Sequence, residues 1–164
     1  MTLKTPIINI MTKAAYKAGN ILIKDFREVE NLQVSKKGIG DFVTSADLSS
    51  EKTIIKILQK GYPKIEIMSE ETNSETNLNK HEKMWIIDPL DGTLNFLHGL
   101  PHFAISMALM VNEEIISGII YDPIKDELFW AEKGIGAFLN GKRIRVSARS
   151  QLKDSLVSTG IPWK

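Results

Sequence analysis

Two aspartates, Asp88 and Asp91, stand three positions apart at the end of an apolar run, with Pro89 and Leu90 between them. Proline fixes its own φ angle and has no N–H donor, so we predict a rigid corner at Pro89 rather than a continuing strand. At such a corner both carboxylates can face one point, and the Leu90 carbonyl can add a third oxygen. Mg²⁺ prefers oxygen ligands, so this spacing predicts a site for that ion.

Gly92 and Thr93 follow directly and predict a turn into a short helix. Gly92 lets the backbone come close to a ligand, and the free N–H groups at a helix start attract anions. The same stretch also has a plain structural interpretation, because Asp-Pro and Asp-Gly are common in turns and Asp caps helices well. The residues alone therefore predict either a cation site beside an anion site or an ordinary turn.

The segment from Trp85 to Phe96 resembles the signature of the inositol monophosphatase family, W-x-x-D-P-[LI]-D-G-T-x-N-[FY], at every position. Residues 67–72 resemble the strand of that family that ends in a metal-binding glutamate. Residues 41–47 resemble its D-x-V-T-x-x-D loop, and residues 133–141 resemble its structural hairpin. The resemblance covers the chain from about residue 5 to residue 164 and implies a Mg²⁺-dependent phosphatase acting on a small phosphomonoester.

The resemblance implies that Mg²⁺ is held by Glu70, Asp88, the Leu90 carbonyl and Asp91. Several Mg²⁺ ions can supply most of what phosphate-ester hydrolysis needs, with little acid–base help from the protein. The alternative for Glu70 is a surface residue of a charged loop, and its neighbour Glu71 is predicted to be solvated.

The resemblance also implies that Asp91, Gly92 and Thr93 bind the substrate, the last two through backbone N–H groups to phosphate oxygens. Asp47 would orient the Thr93 hydroxyl, and that hydroxyl would position the attacking water. Asp47, Glu70 and Thr93 are thus the predicted catalytic residues. Asp47 as a helix N-cap, and Thr93 as another cap, remain open alternatives.

Three further residues could have a role at or near a metal site. Lys36 matches a lysine that the family has near its metal-site loop, although two adjacent lysines usually indicate a solvated loop. His98 and His102 have the i, i+4 spacing of some zinc sites. Pro101 argues against a regular helix there and no third ligand follows, so we expect a structural or surface role for both histidines.

The surrounding pattern predicts the elements that position these residues. Thr5 and Pro6 indicate the start of a helix that ends near Phe26, and a second helix should run from Ala46 or Asp47 to Gly61. Asn140-Gly141 is a strong hairpin signal. Strands are predicted at 65–68, 84–87, 103–111, 115–121, 127–131, 137–139 and 143–146, with a further strand beginning at 156.

Two helices followed by hairpin-linked strands predict an α+β fold, with two long helices packed on a largely antiparallel sheet. The resemblance makes residues 1–164 the N-terminal half of an αβαβα sandwich phosphatase, with the second αβ half absent. That half would carry a further metal-binding aspartate and most of the substrate-selecting residues. We therefore expect weak Mg²⁺ binding, poor activity, and self-association through uncovered core residues.

Composition limits the remaining possibilities. A net charge of +1 gives no general nucleic-acid footprint, and the absence of cysteine excludes disulfides and thiolate chemistry. No segment is apolar for long enough to span a bilayer. We expect a cytoplasmic protein with no membrane or direct nucleic-acid partner, and a homodimer by family analogy. Inositol-1-phosphate is the expected substrate, and the alternative is a non-catalytic, protein-binding factor of the transcription-antitermination type.

Overall fold

The computed structural model of the chain describes residues 4–32, 39–71 and 82–159. Lys36, most of the polar loop predicted at 73–82, and residues 160–164 lie outside these ranges. No helix within the described ranges is both long enough and apolar enough to cross a membrane. The elements are helices α1 (Pro6–Leu32), α2 (Ile39–Gly61) and α3 (Thr93–Leu97), and strands β1 (Glu66–Ser69), β2 (Lys83–Asp91), β3 (Ala104–Val111), β4 (Glu114–Asp122), β5 (Glu127–Glu132), β6 (Gly136–Leu139) and β7 (Lys142–Ile144), followed by a 3₁₀ turn at Leu152–Asp154.

Helix α1 begins as predicted. Pro6 is its first residue, the N–H of Ile8 donates to the Thr5 hydroxyl at 3.3 Å, and the N–H of Asn9 donates to the Thr5 carbonyl at 2.9 Å. The predicted end near Phe26 is wrong, because the buried stripe continues to Val29 and the helix ends at Leu32. The core side of α1 follows helical spacing at Ile8, Met11, Ala15, Ala18, Leu22 and Val29.

Helix α2 begins at Ile39, seven residues before the predicted start at Ala46. Asp47 therefore lies inside the helix and is not its N-cap, and residues 41–47 are helical rather than a loop. Ile54 and Leu58 are fully buried, and the helix ends at Gly61 as predicted.

The seven strands form one sheet in the order of the chain. β1 pairs with β2 in parallel and all other neighbours are antiparallel, which confirms the predicted α+β fold. Asn140 and Gly141 have φ angles of 46° and 81°, which suit the predicted two-residue hairpin. The strand expected from residue 156 does not form over residues 156–159, which have no regular structure, and the rest of that segment lies outside the described residues.

An aromatic cluster links α3 to the rest of the core. The ring of Phe26 in α1 lies 5.4 Å from that of Phe96 in α3 and 5.1 Å from that of Phe103, just before β3. The Phe96 and Phe103 rings are 5.0 Å apart and nearly perpendicular. Such edge-to-face pairs add about 0.5–1.5 kcal/mol beyond their burial. The cluster therefore fixes the short helix that directly follows Asp91 and Gly92.

Candidate metal centre

Glu70 and Asp88 meet because β1 and β2 are parallel. Ser69 pairs with Ile87, and the Glu70 N–H donates to the Ile87 carbonyl at 3.2 Å, so Glu70 is next to Asp88 across the two strands. The carboxyl ends of adjacent parallel strands are common places for ligand sites. The sheet register alone thus brings together two of the predicted ligands.

Strand β2 does not end in a corner at Pro89, contrary to our prediction. It continues to Asp91 through a bulge, in which Pro89 and Leu90 stand opposite the single residue Ile105 of β3. A bulge leaves a ladder position unpaired, so the missing N–H of Pro89 costs no sheet hydrogen bond. The Leu90 N–H donates instead to Asp88 Oδ1 at 3.1 Å, which holds that carboxylate against the bulge.

Gly92 occupies a place that only glycine fits. Its φ of 94° is left-handed, and a Cβ atom there would lie 3.0 Å from the His102 carbonyl oxygen. Helix α3 starts at the next residue, Thr93, whose hydroxyl donates to the Leu90 carbonyl at 3.0 Å. The chain therefore turns sharply after Asp91, and Leu90, Asp91 and Thr93 stay close to one another.

Asp47, in helix α2, lies close to the carboxylates of Glu70 and Asp88. Its side chain is only 4% exposed, and its Oδ1 atom has no hydrogen-bond partner among the described residues. One turn further along α2, the buried Ser50 hydroxyl donates to the Pro89 carbonyl at 2.9 Å. This bond attaches the buried face of α2 to the bulge and brings Asp47 towards Asp88.

The acidic groups perturb one another strongly. Burial, the charges of the neighbouring Glu71, Asp88 and Glu70 carboxylates, and a side-chain hydrogen bond between Asp47 and Glu71 together raise the pKa of Asp47 to about 8. Burial, Glu70 and Asp91 raise the pKa of Asp88 to about 6, against the lowering effect of the Leu90 N–H. Five carboxylates therefore share one region at a cost that protons or cations would relieve.

Within the described ranges, no three His, Cys, Asp or Glu side chains converge closely enough to enclose one ion. The acids form two hydrogen-bonded pairs instead, Asp47 with Glu71 and Asp88 with Glu70. The residues nevertheless fit Mg²⁺ chemically, because the donor set is all oxygen and a buried carboxylate oxygen of Asp47 has no hydrogen-bond partner among the residues that the structure describes. A cation at this position would take the place of the shared protons.

Sequence reasoning missed two residues of this region. Glu71 was predicted to be solvated; it is exposed, yet its carboxyl group hydrogen-bonds Asp47. Ser50 has one weak sequence signal, which is its position three residues after Asp47, on the same helix face. The structure gives Thr93 a bond to the Leu90 carbonyl, so its orientation by Asp47 stays a prediction.

A cavity of about 370 Å³ opens beside Asp91 and Gly92, a volume suited to a small ligand. Its polar lining includes Asn95, whose side-chain amide donates to the His102 carbonyl at 2.7 Å. Lys125 also lines it and pairs with Asp122 at 2.6 Å. His102 and His98 are both exposed, in agreement with the surface role predicted for them.

The α+β fold and the acidic cluster at the ends of β1 and β2 agree with the family resemblance that the sequence shows. The model of the inositol monophosphatase family matches residues 3–164, so the chain belongs to this family. It is 47% identical over 159 residues to an inositol-1-monophosphatase of Rhizobium meliloti. The matched region covers 97% of this chain and 59% of that protein. The chain is 43% identical, with the same coverage, to the Nus factor SuhB of Haemophilus influenzae.

Solved structures agree with this membership. The extragenic suppressor protein SuhB from Bartonella henselae superposes with a TM-score of 0.78 at 44% identity. The match covers 92% of this chain and 58% of that one. The chain thus spans about three fifths of the length of the relatives it matches.

Proposed function

We propose that this chain supplies the metal- and phosphate-binding residues of a Mg²⁺-dependent phosphomonoesterase that converts inositol-1-phosphate to inositol and phosphate. The observation that carries the proposal is the acidic cluster at the ends of β1 and β2, in a member of the inositol monophosphatase family. The choice of inositol-1-phosphate is supported by the name of the Rhizobium relative.

In this proposal Mg²⁺ is held by Glu70, Asp88, the Leu90 carbonyl and Asp91. When bound, the ion supplies charge neutralisation for the phosphoryl group and acidifies a water molecule. The buried side of the cluster excludes bulk water, because Leu90 is 1% exposed and Asp88 is half-buried. Electrostatic attraction between the acids and a cation is strengthened there.

The remaining site residues act on water and substrate. Thr93 would position the attacking water through its hydroxyl, which is exposed and held by the Leu90 carbonyl. Asp47 would orient that hydroxyl as a hydrogen-bond acceptor, because a bound cation would favour the ionised form of its carboxyl group over the protonated form that burial favours. Gly92 and Thr93 would bind phosphate oxygens through their N–H groups, and Asp91 would contact the substrate. The adjoining cavity would then hold the polyhydroxyl ring.

The test is Mg²⁺-dependent phosphate release from inositol-1-phosphate. We expect release to require Mg²⁺, to be unchanged in Asp154→Asn, and to fall by about 100-fold or more in Asp91→Asn. Asp154 is a matched control because it is exposed in the 3₁₀ turn. We expect wild-type turnover below the usual enzyme range of about 1–10³ s⁻¹. Release that persists without Mg²⁺, or in Asp91→Asn, would contradict the proposal.

A second candidate function is a non-catalytic role as a protein-binding factor in transcription antitermination. It is favoured by the 43% identity to a protein named Nus factor SuhB. A transcription-antitermination reporter, in cells that lack their own gene for this protein, distinguishes the phosphatase function from the protein-binding function. Equal support of the reporter by wild type and Asp91→Asn, together with no phosphate release from either, would favour this second function.

A further inference from the structure

A basic groove runs between α1 and α2. It contains none of the residues of the acidic cluster and has no role in the proposed phosphatase function. It has a volume of about 640 Å³. Ile10 and Ile57, both half-buried, form its apolar floor. Its rims carry four exposed lysines: Lys13 and Lys17 on α1, and Lys56 and Lys60 on α2.

The packing of the two helices fixes this arrangement. Gly61, at the end of α2, sits against Ile10 near the start of α1, so the helices run antiparallel. A Cβ atom at Gly61 would lie 2.1 Å from Ile10 Cδ1, which shows how closely the helices approach there. Residues four apart on a helix face have Cβ atoms about 6 Å apart. Each rim therefore presents two ammonium groups, one helical turn apart, on either side of the isoleucines.

The positive charge of the basic groove is local and uncompensated. Helix α1 has no acidic residue before Asp25. In residues 45–61 of α2, the acids Asp47 and Glu51 are buried, at 4% and 1% exposure. None of the four rim lysines forms an ion pair within the described part of the chain, where the recorded pairs are Lys125–Asp122 and Lys133–Glu114. Four cations with no ion pair to any described residue therefore surround one groove in a chain whose net charge is only +1.

We propose that the basic groove binds an acidic amphipathic helix of a partner protein. The apolar floor would take residues at i, i+4 and i+7 of that helix, and the lysines would face Asp or Glu on both flanks. Nucleic acid fits less well, because its backbone would leave Ile10 and Ile57 without an apolar partner. The residues that line the groove also include no aromatic ring on which a base could stack.

The experiment is fluorescence anisotropy of the whole 164-residue chain with a labelled synthetic helix of about 16 residues, leucines on one face and glutamates on both flanks. A peptide of the same composition in scrambled order, and a single-stranded RNA of about 12 nucleotides, serve as competing probes. The test variant is Lys17→Glu/Lys56→Glu, which reverses one charge on each rim. The matched control is Lys142→Glu/Lys153→Glu, which changes the same charge at exposed lysines outside the groove.

We expect the test variant to weaken binding of the peptide by about tenfold or more, and the control by less than about twofold. A peptide with lysines on its flanks should then bind the test variant more tightly than wild type. If circular dichroism shows that the variant is unfolded, Lys17→Gln/Lys56→Gln gives the same readout with a smaller expected loss. The proposal is overturned if the scrambled peptide binds as well, if RNA binds more tightly than the peptide, or if both double variants lose affinity equally.

Discussion

At the scale of single residues, the acidic cluster is distinguished by the lack of a basic side chain beside it among the described residues. Asp47 is buried and Asp88 is half-buried, and the groups that act on them are mainly other carboxylates. Both ion pairs recorded in the described ranges lie elsewhere, so no lysine or arginine there neutralises the cluster. Acids buried together without a basic partner must bind protons or a cation. This supports a metal-binding role over a purely structural one.

The raised pKa values give a pH dependence with a definite sign. Since the folded pKa values of about 8 for Asp47 and about 6 for Asp88 lie above the ordinary aspartate value of 3.8, the folded chain binds protons more tightly than the unfolded chain. The stability from these groups is therefore complete below about pH 4, and is lost as pH rises through about 6 and then about 8. We expect the melting temperature of the metal-free protein to fall across this window.

Mg²⁺ should reverse that loss. At about pH 8.5, Mg²⁺ at ten times its dissociation constant should raise the melting temperature by about 3–6 °C, and at about pH 5 it should have little effect. Calorimetric scans with and without Mg²⁺ measure this, and Asp47→Asn should flatten the pH dependence. A melting temperature that rises with pH in the metal-free protein would contradict the assignment.

At the scale of elements, two of the sequence predictions that failed concern the elements that carry the acidic cluster. The start of α2 was predicted seven residues too late, because Gly38 and Gly40 in a polar stretch indicated a loop and Asp47 was a plausible N-cap. The rule that proline ends a strand failed at Pro89, because a bulge does not need its N–H. Both failures occur where elements are shaped to hold the acidic cluster rather than to fill a core.

Other features could be predicted because their causes are local. The Asn140-Gly141 turn needs positive φ at both residues, and Gly92 must be glycine beside the His102 carbonyl. The contact between Glu71 and Asp47 joins the end of β1 to the interior of α2, and no local pattern encodes such a pairing. The sequence thus indicated candidate ligands through a motif, whereas their mutual protonation depends on tertiary packing.

Ser50→Ala tests how α2 is attached to the bulge. The substitution leaves the buried Pro89 carbonyl without the hydroxyl donor, which should lower the free energy of unfolding by about 1–3 kcal/mol and also weaken Mg²⁺ binding. Thr53→Ala is the matched control, since the Thr53 hydroxyl bonds only the Ser49 carbonyl within the same helix. Urea unfolding of both variants measures the difference. A loss no larger than that of the control would mean that this bond does not position Asp47.

At the scale of the whole molecule, the two sides of the sheet differ. One side is covered by the long helices, and the other carries an apolar row of Ile120, Phe129 and Leu139 paired across β4, β5 and β6. Ile120 is 50% exposed. Next to this row a trough of about 320 Å³ is lined by small residues that include Gly118 and Ala131. Exposed apolar surface of this kind favours association.

We therefore expect the 164-residue chain to self-associate, and propose a homodimer as its smallest assembly. Ile120→Glu should shift sedimentation towards the monomer and reduce the binding of an apolar dye. Val146→Glu, at a residue that is 95% exposed and outside the strands, adds the same charge and should change neither. A monodisperse wild-type monomer without dye binding would contradict this expectation.

The central claim is that the acidic cluster at the ends of β1 and β2 binds Mg²⁺, and isothermal titration calorimetry at about pH 8 tests it most directly. We predict weak but saturable binding to wild type and to the exposed control variant Asp154→Asn. Asp88→Asn should bind at least about tenfold more weakly, because it removes a carboxylate that both strands and the bulge position. Binding of equal strength by Asp88→Asn, or no binding by wild type, would show that these carboxylates do not form a Mg²⁺ site.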